Sequence, residues 1–494
     1  MNARSEPLAP SLPSPVALSL ALAGAVGTGL LVGALGAGPI KAFSAVLAVL
    51  LVIAAVVRQD MVVVLVVFLI YSDAAVVAVE SQGLPFIVGG AVPLLLAVPL
   101  AHQFMRGEPL VADGILFALV GLLLAMGVSG LLARESGIAM EGIQAFAIQG
   151  VLLYFLILNV LRSPGNLRLA GWTVLGAGAF LAVASIFQYV TKTFDRPYLG
   201  FAALDPAYIA GHTTEPRASG PVADPNYYAQ LLLPALAFGL VAVLRDRVRA
   251  LRWVAAGMVG MIVFAIVLTG SRGGTIAVVA MLVVMIALRF FGIAQIAAAV
   301  AVVAVALALN PSYTQRLTTT SLSGIAAPAG STVAADSATR GRLTENLAAA
   351  HVFADHPLLG VGPGGFPFYY QEYASRIGIQ VHDRERTGAD AGQAPQRAAH
   401  NIVLGMAADL GIIGLVFFVL VVCMAFAGLL RARRRARAER RPELADMAGA
   451  VIVALVGYLV AGLFLSLAFE RYLWLLLAMA GAVVVLSRQS DAPR

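Results

Sequence analysis

Charge is scarce in this chain. Of its 494 residues only 12% are Asp, Glu, Lys or Arg, about half the roughly 25% of a soluble globular protein. That excludes a cytosolic enzyme and an intrinsically disordered chain. Cysteine occurs once, as Cys423 in an apolar run, so a disulfide scaffold and a cysteine metal site are excluded too. Lysine is nearly missing: the 33 basic residues include only Lys41 and Lys192. The formal charge of +7 therefore rests on arginine. Those arginines lie between apolar runs, as topology signals do, and not in a nucleic-acid footprint. The first fifteen residues, MNARSEPLAPSLPSP, lack the basic region, apolar stretch and cleavage site of a removable signal. The first apolar run is expected to be a retained span.

What the chain has is apolar length. Hydrophobic residues make up 60% of it and the mean hydropathy is +0.90. A spanning helix needs about 20 mostly apolar residues. Such runs lie at 15–37, 40–57, 61–79, 84–102, 110–132, 143–161, 168–190, 227–244, 251–270, 273–291, 293–309, 400–429, 446–468 and 470–487. The expected fold is an all-α polytopic membrane protein of about 12–14 spans with a large, partly helical extracytoplasmic loop. The run of arginines over 431–441 is the strongest topology signal and is read as a cytoplasmic loop. Arg58, Arg162, Arg168, Arg245, Arg247, Arg249, Arg252 and Arg289 then also fall inside, with both termini. The segments 191–226 and 310–399 fall outside, together with His212, His351, His356, His382 and His400. The polar groups available for chemistry gather on one side of the membrane.

Four segments on that side are informative. Asp224-Pro-Asn226 is a good helix start, and Arg217 precedes it at headgroup depth, either snorkelling to lipid phosphate or binding a ligand anion. In Thr269-Gly270-Ser271-Arg272-Gly273-Gly274 an arginine sits between two apolar helices, where glycines let the backbone turn and a bulky group approach. It reads as a tight turn reaching water or as a fixed cation for an anionic group. The loop at 310–399 is too long for a connector. Within it, Arg342 begins a helical pattern with Leu343, Leu347 and Ala350 on one face, ending at Asp355-His356-Pro357. Gly360-Val-Gly362-Pro-Gly-Gly365 has the glycines of a phosphate loop but no following Lys-Ser/Thr, so a turn packed against the membrane surface is expected. Tyr369, Tyr370 and Tyr373 are interfacial anchors or a stacking platform. Last, His400-Asn401 stands at the mouth of a span, where the helix dipole favours neutral imidazole, and a neutral imidazole accepts a proton as a general base must. No histidine pair or carboxylate cluster has metal-ligand spacing, and neither metal nor cofactor is expected. Asp73 is a carboxylate within an apolar run that has no evident basic partner in the sequence.

Asp224-Pro-Asn226-Tyr-Tyr-Ala, Thr269-Gly-Ser-Arg272-Gly-Gly, Arg342 with His356-Pro-Leu-Leu-Gly-Val-Gly362, and His400-Asn401 with Asp409-Leu-Gly-Ile-Ile-Gly414 occur in this order. Together, over 215–430, they resemble the O-antigen ligase and polymerase superfamily of bacterial membrane glycosyltransferases. The resemblance implies transfer of a glycan from undecaprenyl pyrophosphate to an acceptor at the periplasmic face of the cytoplasmic membrane, without metal or nucleotide sugar. It implies that Arg217, Arg272 and Arg342 grip the donor pyrophosphate and that His400 is the general base. Asn226, Gly270, Ser271, Gly273 and Asn401 support them. One departure is Asn346, where the family has an aromatic residue after the loop arginine. The chain then divides into a cytoplasmic tail (1–14), N-terminal spans (15–190), a ligase-like membrane region (191–309), the large periplasmic loop (310–399) and C-terminal spans with the basic loop (400–494). The acceptor stays open: lipid A core for a ligase, a second lipid-linked repeat for a polymerase, another glycan, or a protein side chain. Membrane lipids are partners and nucleic acid is not. From a different class, a polysaccharide-lipid flippase predicts mid-membrane ionisable groups and repeated halves, and a membrane scaffold leaves the arginine–histidine set without a role.

Overall fold

The computed structural model describes residues 59–83, 92, 95–204, 216–292, 337–377, 397–465 and 470–489. The spans expected at 15–37, 40–57 and 293–309, most of that at 84–102, and His212 and His382 lie outside the described residues. Elsewhere the apolar runs are helices: α1 (Gln59–Tyr71), α2 (Ala74–Glu80), α3 (Ala97–Met105), α4 (Gly114–Leu131), α5 (Ser136–Val160), α6 (Pro164–Thr191), α7 (Pro225–Arg245), α8 (Arg249–Thr269) and α9 (Arg272–Ala287). After them come α10 (Ser337–Asp355), α11 (Phe366–Ile377), α12 (Ile402–Ala438), α13 (Pro442–Gly462) and α14 (Arg471–Arg488). Two short strands, β1 (Ala203–Leu204) and β2 (Ala218–Gly220), pair antiparallel. Among the described residues eight helices are long and apolar enough to cross a membrane. The chain is an all-α polytopic membrane protein.

Burial sorts the spans. In α7, α13 and α14, 72%, 72% and 78% of the most apolar window is buried, against 28% in α8. The first three are therefore the centre of the bundle and α8 belongs to its rim. Phe117, Leu124, Val279, Val283 and Val416 are exposed outward, as lipid-facing side chains must be.

Two breaks are built from sequence. The run at 61–79 is a pair bent by 57°, because Asp73 takes a left-handed conformation (φ 63) between α1 and α2. Its carboxylate meets Arg471 at the start of α14, so the reading that Asp73 lacks a basic partner is corrected. The partner is 398 residues away, and only tertiary structure reveals it. In α7, Pro234 interrupts the helical ladder. The Tyr71 hydroxyl inserts beside it, accepting from Ala235 N at 3.1 Å and donating to the Leu231 carbonyl. Replacing Tyr71 by Phe is expected to cost about 1–2 kcal/mol, since a buried pair loses its bridge. Thermal unfolding in micelles checks it, and an unchanged midpoint contradicts the bridging role.

The basic stretch over 431–441 is not a loop. α12 runs on to Ala438, and only the residues at 439–441 turn before α13. The reason is local: Arg and Ala are good helix formers, Arg435 bonds Glu439 one turn on, and Arg433 is buried. Its guanidinium donates to the carbonyls of Leu288 and Ala445 and lies 4.8 Å from the Phe290 ring centroid.

The described parts of the long loop, 337–377 and 397–399, fold on the bundle. α10 ends at Asp355 as expected, but its buried face is Thr344, Glu345, Ala348, Ala349 and Val352. Leu343, Leu347 and Ala350, which share a face as expected, are half-buried on the other side. Tyr370 and Tyr373 pack with that face, Phe366, Ala374 and Ala399, so they are core and not membrane anchors. Burial pushes both hydroxyls up to about 12, and Tyr373 donates to Asp355.

Candidate active site

The arginine turn is held from below. Gly270 ends α8 in the left-handed region (φ 60). Ser271 caps α9, its hydroxyl accepting from Gly274 N at 3.2 Å, and the Thr269 hydroxyl accepts from Ser271 N at 3.2 Å. Arg272 is thereby the first residue of α9, at the positive end of its dipole, where anions are favoured. Arg217, at the edge of β2, donates Nε to the Thr269 carbonyl at 2.8 Å. That bond ties Arg217 to the turn that carries Arg272.

The histidine end meets that turn on a shared support. Asn401 caps α12, accepting from Val403 and Leu404 N at 2.9 and 3.1 Å, and its amide donates to the Leu463 carbonyl. Gly273 lies against Phe464, next in sequence. A side chain at 273 would meet Phe464 at 3.2 Å, so the glycine sets how closely α9 approaches the end of α13. Asn226 is the second residue of α7, and its backbone N–H is capped by Asp224 at 2.7 Å. This is a structural part of the helix start expected there.

Arg342 reaches the centre through its own helix. One turn on from it is Glu345, whose side chain is 2% exposed, with Oε2 2.5 Å from His400 Nδ1 and Oε1 3.7 Å from Arg397 Nη1. Tyr227, beside Asn226, lies within electrostatic reach of Arg342, Glu345, Glu470 and Asp224. The structure therefore brings all four predicted residues to one end of the bundle. Reading the sequence missed Glu345. The signal was there as an acidic residue on the arginine helix, but the pairing is non-local. A buried carboxyl group therefore lies against the His400 ring, a neighbour that the helix start alone does not disclose.

The glycine loop has a different task. Val361 and Gly362 N–H donate to the Ala408 and Asp409 carbonyls, and Gly364 and Phe366 N–H donate to the Asp409 carboxylate at 3.2 and 3.0 Å. Ile412 and Ile413 N–H donate back to Pro357 and Leu358. Its amides are engaged by protein, so it is a turn packed on α12, where packing against the membrane surface was expected, and no phosphate cradle. It clips α10 to α12 where that helix breaks at Gly411 (φ 62, ψ −162), and so fixes Glu345 against His400. Among the described residues no group of three His, Cys, Asp or Glu side chains is placed to hold a metal ion.

Residues 256–419 match the O-antigen ligase family model (Wzy_C). The match runs from within α8 through the arginine turn, Arg342 and His400 to Gly411 and Gly414, and leaves out Arg217 and Asn226. None of the curated proteins compared matches the chain.

Proposed function

We propose that this chain, whose residues 256–419 match the O-antigen ligase family model, is a membrane glycosyltransferase. It moves a glycan from undecaprenyl pyrophosphate onto an acceptor hydroxyl at the periplasmic face of a bacterial cytoplasmic membrane. The observation that carries the reading is the Glu345–His400 contact, set on the same end of the bundle as the arginine turn.

In this reading Nδ1, 2.5 Å from the Glu345 carboxylate, carries the ring proton. Nε2 is then the accepting nitrogen. It takes the proton of the acceptor hydroxyl as the oxygen attacks the anomeric carbon, and the carbon–oxygen bond to pyrophosphate breaks with its electron pair leaving on phosphate. Attack from the face opposite the leaving group inverts the anomeric configuration. The imidazolium that forms is stabilised by Glu345. The leaving pyrophosphate gains negative charge, which Arg217, Arg272 and Arg342 are arranged to meet, each through charge-assisted bonds worth about 1.5–3 kcal/mol. Three guanidiniums supply the charge that a divalent cation provides elsewhere, so the reading requires no metal and no other cofactor.

Glu345→Ala tests the arrangement. The account expects kcat to fall about 100-fold, the lower end of what a positioned base contributes, with KM for the donor nearly unchanged. Glu345→Gln, which retains an acceptor for Nδ1–H, is expected to recover part of the loss. Equal turnover in wild type and Glu345→Ala would remove Glu345 from the mechanism. A polymerase differs from a ligase here only in the acceptor: a second lipid-linked glycan in place of lipid A core.

A further inference from the structure

At the end of the bundle opposite His400, α6, α7 and α13 enclose an open cavity of about 360 Å³. Leu167, Trp172, Leu175, Phe238 and Val241 form its apolar wall. Arg168, Arg245, Arg247 and Arg252 stand at its mouth. By liquid volume the space equals about twelve waters, which is room for a headgroup and the first carbons of one chain.

The charges at the mouth do not cancel. Arg168 pairs with Asp246 at 2.7 Å and Arg247 with Glu443 at 2.9 Å. The Asp246 carboxylate also accepts from Val248 N. Arg245 and Arg252, by contrast, donate to main-chain carbonyls, Arg245 to Arg289 and Phe290 and Arg252 to Asp246. A carbonyl satisfies an N–H and carries no net charge. Asp446, the remaining acid of the lining, lies in the field of Arg433 and Arg437 as well as Arg245. A cationic rim above an apolar slot, at the end of membrane-spanning helices, matches an amphiphile with an anionic head.

We propose that this cavity binds an anionic phospholipid, its phosphate at the arginine rim and the start of one acyl chain along Trp172 and Phe238. Nothing in the glycan-transfer reading requires the site, which stands at the far end of α7.

Native mass spectrometry of the purified full chain in micelles tests it, with phosphatidylglycerol, phosphatidylcholine and water-soluble glycerol phosphate as separate probes. The expected result is retention of phosphatidylglycerol, at least tenfold weaker retention of phosphatidylcholine, and no competition from glycerol phosphate. A juxtamembrane arginine is worth about 1 kcal/mol toward anionic lipid, so Arg245→Gln with Arg252→Gln is expected to weaken retention about 30-fold. Ala242→Trp, which fills the slot and spares the arginines, is expected to abolish it. Equal retention of the two lipids overturns the proposal. Binding of glycerol phosphate as tight as that of phosphatidylglycerol overturns the lipid assignment in favour of a soluble phosphate. The lipid comparison uses the unaltered chain and decides whether or not the variants fold.

Discussion

Replacing His400 by alanine is expected to lower turnover about 1,000-fold, within the 10²–10⁴ that a positioned general base supplies. The side chain is one-quarter exposed while Glu345 behind it is buried, so the imidazole presents one nitrogen outward and is held at the other. Alanine removes the proton acceptor and leaves the arginine turn, the Asn401 cap and the Leu463 contact in place. Donor binding should therefore survive, seen as an unchanged KM for the lipid-linked glycan beside a collapsed kcat. A variant that loses donor binding and keeps kcat would assign His400 to the pyrophosphate and not to the acceptor.

Gly411→Ala is expected to destabilise the protein by about 3 kcal/mol or more. Gly411 adopts φ 62, ψ −162, a region that costs other residues about 1–3 kcal/mol. A Cβ there would stand 2.4 Å from the Leu358 carbonyl carbon and oxygen, and relieving such a contact costs about 1–3 kcal/mol more. Gly360 faces the same junction from the other side, with a Cβ 2.4 Å from the Asp409 carbonyl. The two backbones touch because neither residue has a side chain. Pushing them apart shifts α10 relative to α12 and separates Glu345 from His400, so transfer should fall with stability. Gly257→Ala in α8, where a Cβ meets nothing within 4 Å, is the control and should be neutral or slightly stabilising. Matching unfolding midpoints for the two variants in micelles would contradict the junction's role.

Legibility in the sequence followed range. Spans from α4 to α14 could be read because twenty apolar residues state their own environment, and the start at Asp224 because a cap is decided within three residues. Arg272 stood out because an arginine flanked by glycines between apolar helices has few reasons to exist. The pairings could not be read. Asp73 with Arg471, Tyr71 with the interrupted ladder of α7, and Glu345 with His400 join residues that only the packed bundle brings together. The buried face of α10 could not be read either, because its small residues, Ala348 and Ala349, are the buried ones and its leucines are half-buried. A hydrophobicity pattern ranks leucine above alanine, whereas close packing against Phe366 and Tyr370 leaves room for little more than a methyl group.

The most direct test of the account is in vitro transfer. The purified chain is given an undecaprenyl-pyrophosphate glycan, lipid A core or a second lipid-linked glycan as acceptor, and EDTA, with Arg272→Ala alongside. The account predicts product in EDTA with inverted anomeric configuration, lost in Arg272→Ala, and the acceptor that is used distinguishes ligase from polymerase. Transfer that stops in EDTA and returns with a divalent cation, or turnover in Arg272→Ala equal to wild type, would contradict arginine-borne stabilisation of the leaving pyrophosphate.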